Sequence, residues 1–94
     1  MNVQISEAAL AYLRKKGADT ISVVYDIPGI SESIAVEASV QIGPPKIQAR
    51  YQKIPVGEIT VYVDSIIEVK DVLEIDVNRI FGFYRFVVSG YRIA

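Results

Sequence analysis

Gly57–Gly90, GEITVYVDSIIEVKDVLEIDVNRIFGFYRFVVSG, is the stretch whose reading decides the fold. Ile59, Val61 and Val63 alternate with Thr60, Tyr62 and Asp64; Leu73, Ile75 and Val77 alternate with Glu74, Asp76 and Asn78. Alternation with a period of two places one set of side chains on a buried face and the other on a wet one, so both runs read as strands. Between them, Ser65-Ile66-Ile67-Glu68 has the form of a capping box and predicts a single helical turn over residues 65–70. Phe81-Gly82-Phe83 opens a last strand that continues through Phe86-Val87-Val88 before Gly90. The stretch reads strand, capped turn of helix, strand, tight connection, strand.

Upstream, the same period recurs. Val36, Ala38, Val40 and Ile42 share a face from Ile34 onward, and Gly43-Pro44-Pro45 ends that run, since prolines cannot donate to a central ladder. Ile47, Ala49 and Tyr51 alternate with Gln48, Arg50 and Gln52 and predict a half-buried strand; Ile54-Pro55-Val56-Gly57 predicts the next turn. Ile21–Asp26 reads as a strand broken by Ile27-Pro28-Gly29-Ile30, followed by the polar Ser31-Glu32-Ser33. Val3 and Ile5 form a short lead-in strand.

One segment has the other period. Ser6 is placed to cap a helix, Glu7 sits in its first turn where the helix dipole favours negative charge, and Ala9, Leu10 and Leu13 share one face. Arg14-Lys15-Lys16 complements the helix C-terminus and Gly17 offers a left-handed stop. The expectation is one mainly β (α+β) domain over residues 1–94: a compact β-sandwich or barrel of six or seven short strands with one N-terminal helix.

Composition excludes much chemistry. The chain is 51% hydrophobic and 22% charged, a globular balance, and contains no cysteine and no histidine. Disulfides, thiolate or imidazole metal sites, and Cys or His catalysis are thereby excluded. No apolar run approaches the length of a membrane span, and Met1-Asn2-Val3-Gln4 lacks signal-peptide character, so a cytoplasmic location without membrane is expected. The net charge of −1 gives no general pull toward nucleic acid. Charge is nonetheless segregated: Lys46, Arg50 and Lys53 in 38–57 and Arg79, Arg85 and Arg92 in 77–94 have no acid among them, whereas 58–76 holds six acids and Lys70 alone. Strands of opposite sign laid side by side attract across a sheet.

Asp64, Glu68 and Asp71 are the candidate hard-cation cluster, but they lack the dense acidic spacing and central glycine of a calcium loop, and solvated strand edges explain them better. No Gly-rich phosphate loop and no Ser-x-x-Lys spacing occurs. Tyr25, Tyr51, Tyr62 and Tyr84 beside Arg50 and Arg85 have the composition of a stacking platform, although strand tyrosines more often close a sheet edge or an oligomer interface. No catalytic, cofactor-binding or metal residue is expected from these patterns.

Val3-Gln4-Ile5-Ser6-Glu7-Ala8-Ala9 resembles the start of HesB-like proteins, the A-type iron–sulfur carriers, and Ile59–Asp64, Leu73–Val77 and Gly82-Phe83 resemble their later strands. The chain is more similar still to a small subgroup known for a Cys–Cys or Cys–selenocysteine pair: Ser39-Val40-Gln41-Ile42-Gly43-Pro44-Pro45 is similar to the segment after that pair. The resemblance implies a HesB-like fold. It places the carriers' first ligand near Pro28-Gly29-Ile30-Ser31 and the redox pair within 30–35, so Gly29, Ile30, Ser31 and Ser33 mark the position of the missing site. The carriers' Cys-Gly-Cys is missing as well, and a serine oxygen is a poor substitute for thiolate. The implied function is a ligand-less, non-catalytic binding or scaffold module in iron–sulfur or selenium-related pathways, with a protein partner or self-association through its Tyr- and Phe-bearing strands. Two alternatives stand beside it. One is a redox or metal-handling protein whose native cysteine or selenocysteine in the 30–35 loop, where Ser31 and Ser33 stand, is replaced; the other is a small enzyme using carboxylates alone.

Overall fold

The structure, a computed structural model, describes residues 1–25 and 38–93. In chain order they form β1 (Asn2–Ile5), α1 (Glu7–Lys15), β2 (Thr20–Tyr25), β3 (Ala38–Ile42), a 3-10 turn (Gln48–Arg50), β4 (Tyr51–Val56), β5 (Ile59–Asp64), β6 (Ile67–Ile80) and β7 (Phe83–Ile93). One sheet has the order β1-β6-β7, with β1 parallel to β6; the other has the order β3-β2-β5-β4, with β2 parallel to β5. Among the described residues, no helix is long and apolar enough to cross a membrane.

Alternation explains the core. Ile59, Val61 and Val63 of β5, Ile21 and Val23 of β2, and Ile67, Leu73 and Ile75 of β6 are buried together with Leu13 of α1. Each such side chain taken from water contributes about 1.5–3 kcal/mol, so the two sheets and the helix are held by one shared apolar layer. The opposite face of β5 is not wet. Tyr62 and Asp64 are buried there with Ser22, because residues 43–50 cross that face: Ser22 Oγ donates to the Gly43 carbonyl (2.6 Å), and the Ser65 N–H donates to the Arg50 carbonyl (3.0 Å).

Four local expectations are corrected. Residues 65–70 form no helical turn; Ile67 starts β6 opposite Ile93, and Glu68 lies opposite Arg92 and accepts its guanidinium (3.0 Å). Ser65 turns its hydroxyl to the Arg50 carbonyl, and the Asp64 carboxylate takes the Ile66 N–H (3.1 Å), so the capping-box groups are engaged elsewhere. Gln48–Arg50 form a 3-10 turn, so the strand expected from Ile47 begins only at Tyr51; β4 includes Pro55, tolerated because β4 is an edge strand. Phe81-Gly82 is not strand but a two-residue connection between the paired Ile80 and Phe83, with φ of 50° and 82°, the positive pair of a type I′ hairpin. Finally, the strands are not all short: β6 and β7 span 14 and 11 residues and build one long hairpin.

The helix behaves as its sequence predicts. Ser6 Oγ accepts from the Ala9 N–H (3.1 Å), and Gly17 adopts φ 68° at the other end. The same hydroxyl donates to Asp76 on β6 (2.6 Å), tying the cap to the sheet. That bond, and then the Val77 N–H, hold the Asp76 pKa below the ordinary 3.8. A carboxylate with a lowered folded pKa adds stability that is complete above the unfolded value and is lost as pH falls through the folded one. Ser6→Ala is therefore expected to cost about 1 kcal/mol at neutral pH through the lost cap. Its deficit against the parent should shrink below about pH 4, where the parent forfeits the Asp76 contribution too. Urea midpoints of both proteins at neutral and acid pH check this; an equal deficit at both would remove the role given to Asp76.

Candidate functional site

Gly29, Ile30, Ser31 and Ser33, the residues marking the missing ligand or redox loop, lie outside the described residues. Their flanks are placed. Tyr25 and Ala38 are direct partners in the β2–β3 ladder, so the chain leaves and re-enters at one end of the four-stranded sheet. The Ala38 N–H donates to the Tyr91 hydroxyl of β7 (2.9 Å), joining that end to the other sheet. A groove of about 470 Å³ runs between β3 and β7, with Ser39, Val40, Asn78, Arg85, Val87 and Tyr91 among its walls. Ser39 and Asn78 place a hydroxyl and an amide on these walls, beside the Tyr91 hydroxyl that accepts from Ala38. Among the described residues, these walls supply no carboxylate to act as a base or a nucleophile.

The acids are dispersed. Asp64 is 2% exposed, contrary to the expectation of a solvated edge, and is held by Arg50 Nη2 (3.1 Å) and the Ile66 N–H. Glu68 pairs with Arg92 and Asp76 with Ser6, while Asp71 and Glu74 are exposed elsewhere along β6. Among the described residues, no three such ligands gather where they could hold a metal ion. Nor do Asp64, Asp71 and Asp76 form one site: Asp64 lies on the four-stranded sheet, and the other two lie five positions apart on β6.

The tyrosines also divide. Tyr25 and Tyr51 flank a hollow of about 290 Å³ beside Lys46 and Arg50, and burial and the Asp64 charge raise the Tyr51 pKa. Tyr62 is buried, and Tyr84 stands on β7 with its ring 4.6 Å from that of Tyr12. These four tyrosines do not come together as one stacking platform.

What the patterns did not reveal is the outer face of the β6–β7 hairpin. Leu73, Ile75 and Val77 point into the core, so Glu74, Asp76, Asn78 and Ile80 point out. Their partners are Ser89, Val87, Arg85 and Phe83, all exposed. The rows run from acidic (Glu74–Ser89, Asp76–Val87), through Asn78–Arg85, to apolar (Ile80–Phe83), with Phe83 78% and Phe81 at the turn 95% exposed. The sequence signal for this lay in the charge step between 58–76 and 77–94, which the hairpin turns into a gradient along one face.

Arg50–Asp64 (3.1 Å) and Arg92–Glu68 are ion pairs between the segments of opposite sign, and the second lies across the β6–β7 ladder as the charge distribution predicts; Arg14–Glu58 (2.7 Å) instead joins α1 to the β4–β5 turn. No curated protein matches the chain. The profile of the CC/Se motif containing family matches residues 1–91. With nearly its whole length matched, and with no cysteine in its sequence, the chain belongs to the CC/Se motif containing family.

Proposed function

We propose that this protein is a non-catalytic binding or scaffold module with a HesB-like core, working in iron–sulfur or selenium-related pathways of the cytoplasm without holding a cluster itself. The single observation behind this reading is the lack of any cysteine or histidine in 94 residues, in a family named for a CC/Se motif. The iron–sulfur group that a HesB-like core implies does not fit the residues present, because such clusters are held by thiolates, with imidazole as the main substitute. The partner is a protein, and a second copy of the chain is the first one to test.

Anaerobic reconstitution with iron and sulfide, followed by absorbance and metal analysis, tests the reading. The expected result is no bound iron. Stoichiometric iron would overturn it and would require an oxygen-ligand site built from Asp, Glu or Tyr.

The family description favours a second reading: a redox or metal-handling protein whose native pair within 30–35 is replaced in this chain. A cysteine or selenocysteine codon anywhere within 30–35 of the native coding sequence would carry it; a native sequence identical to this chain over 30–35 would end it.

A further inference from the structure

We propose that the tip of the β6–β7 hairpin anchors the protein to a lipid surface. Phe81 and Phe83 enter the interface of an anionic bilayer, and Lys15, Lys16 and Arg79 lie against its headgroups. The inference goes beyond the scaffold reading and does not depend on it. Among the described residues no helix is long and apolar enough to cross a bilayer, but a hairpin resting on one needs no such helix.

The first observation is what occupies the turn. A two-residue type I′ connection favours asparagine, aspartate and glycine, which tolerate positive φ and suit water. Here the turn lies within the apolar run Ile80-Phe81-Gly82-Phe83. Phe81 holds φ 50°, where a bulky aromatic is an outlier. It is also 95% exposed, so contacts within the domain do not compensate for that conformation; Phe83 is 78% exposed. A backbone outlier kept against its cost points to a role outside the domain's own packing.

The second is reach. β1 pairs with β6 only as far as Ile75, while β6 continues to Ile80. The hairpin therefore runs five residues, roughly 17 Å, past the end of that pairing before it turns. This carries both phenylalanines away from the three-stranded part of the sheet. Insertion to the boundary of headgroups and acyl chains, about 5–10 Å deep, involves only the turn and its flanking side chains.

The third is charge. The Arg79 guanidinium lies 5.9 Å from the Tyr84 ring centre; Tyr84 packs on Tyr12, and the Lys16 ammonium lies 5.6 Å from the Tyr12 ring. Lys15 shares the walls of a cleft of about 330 Å³ with Arg79 and Tyr84. Three exposed cations thus gather on one aromatic cluster behind the tip, and tyrosines are favoured at the level of the headgroups. The nearest acids of β6, Asp76 and Glu74, stand five and seven residues from Phe81, roughly 17 and 23 Å back. At physiological salt the Debye length is about 8 Å, so their repulsion from an anionic surface is largely screened. Tip-to-tip contact between two copies would cover the phenylalanines too, but would set one basic collar against another.

The chain has no tryptophan, so Phe81→Trp supplies a single fluorescent reporter. The full chain with this substitution is titrated with vesicles of phosphatidylcholine alone and of equimolar phosphatidylcholine and phosphatidylserine. The mixed vesicles should shift its emission to the blue and allow quenching by brominated acyl chains, and added salt should weaken both effects. Ile47→Trp, beside Tyr51 on the four-stranded sheet, is the control and should show neither. In vesicle sedimentation, Phe81→Ser and Phe83→Ser should each lower the partition coefficient about tenfold, the loss of one partly buried aromatic. Lys15→Glu combined with Lys16→Glu should abolish the preference for mixed vesicles, and circular dichroism confirms that each variant is folded.

No blue shift with mixed vesicles would overturn the proposal. So would a shift equal on neutral vesicles and indifferent to the lysine reversals. A shift that grows with protein concentration in the absence of lipid would also overturn it, and would give the tip to a second copy. None of these outcomes depends on whether iron binds, so the anchor and the non-catalytic reading fail separately.

Discussion

Gly90→Ala is expected to destabilise the protein by about 3 kcal/mol, the sum of two separate penalties. Gly90 has φ 84°, and any residue with a Cβ is strained there by about 1–2 kcal/mol. The larger problem is space. A Cβ on Gly90 would lie 1.9 Å from the Val72 carbonyl oxygen and 3.1 Å from its carbon. Those are backbone atoms and cannot rotate away. They stand there because the β6–β7 ladder slips between Val69–Tyr91 and Glu74–Ser89, so that several residues of β6 arch past Gly90 alone. Val72 is fixed from its other side by β1, whose Asn2 is its partner. The arch has nowhere to go, and overpacking of this kind costs about 1–3 kcal/mol more. In a domain of this size the melting temperature should fall by more than about 10 °C. Gly17→Ala is the control: its φ is 68°, but nothing lies within 4 Å of the added carbon, so only the backbone penalty applies. If thermal and urea unfolding gave the two variants equal losses, the close approach at Val72 would be wrong.

That glycine shows what the sequence could and could not convey. Local patterns were readable wherever the deciding interactions are local. The inward residues of β5 and of the Leu73–Val77 run are all buried, and Ser6 caps the helix as its position predicts. Patterns misled where a distant strand decides. Ser65-x-x-Glu68 is a sound helix start in isolation, yet Glu68 is claimed by Arg92 and Ile67 by the ladder with β7. Asp64 falls on the face that alternation calls wet, and only Arg50 and the crossing of residues 43–50 bury it. The candidate surface was hidden for the same reason. Arg85, Asp76, Phe83 and Glu74 share a face only through a register that no short window of sequence contains. The resemblance directed attention to Gly29–Ser33, and the chemistry it implies is missing from the residue types themselves.

Leu13→Ala is expected to cost about 3 kcal/mol, within the 2–5 kcal/mol that buried leucines show on truncation. The reasoning starts from the helix's length. Nine residues cannot hold a helix in water alone, so α1 persists because its apolar face is docked. Ala9 and Leu13 are its fully buried residues, and only Leu13 is large; it enters the layer shared by Ile21, Val61 and Leu73. Tyr12 makes a separate contact, its ring 4.6 Å from Tyr84 and 5.6 Å from Phe86 on the inner side of the hairpin. The helix thus backs the β6–β7 hairpin. In urea, Leu13→Ala should lower the midpoint with the slope unchanged, the sign of lost stability in an otherwise intact two-state domain. A loss below about 1 kcal/mol would mean that the site collapses around the missing atoms, or that the helix is less firmly seated than its burial indicates.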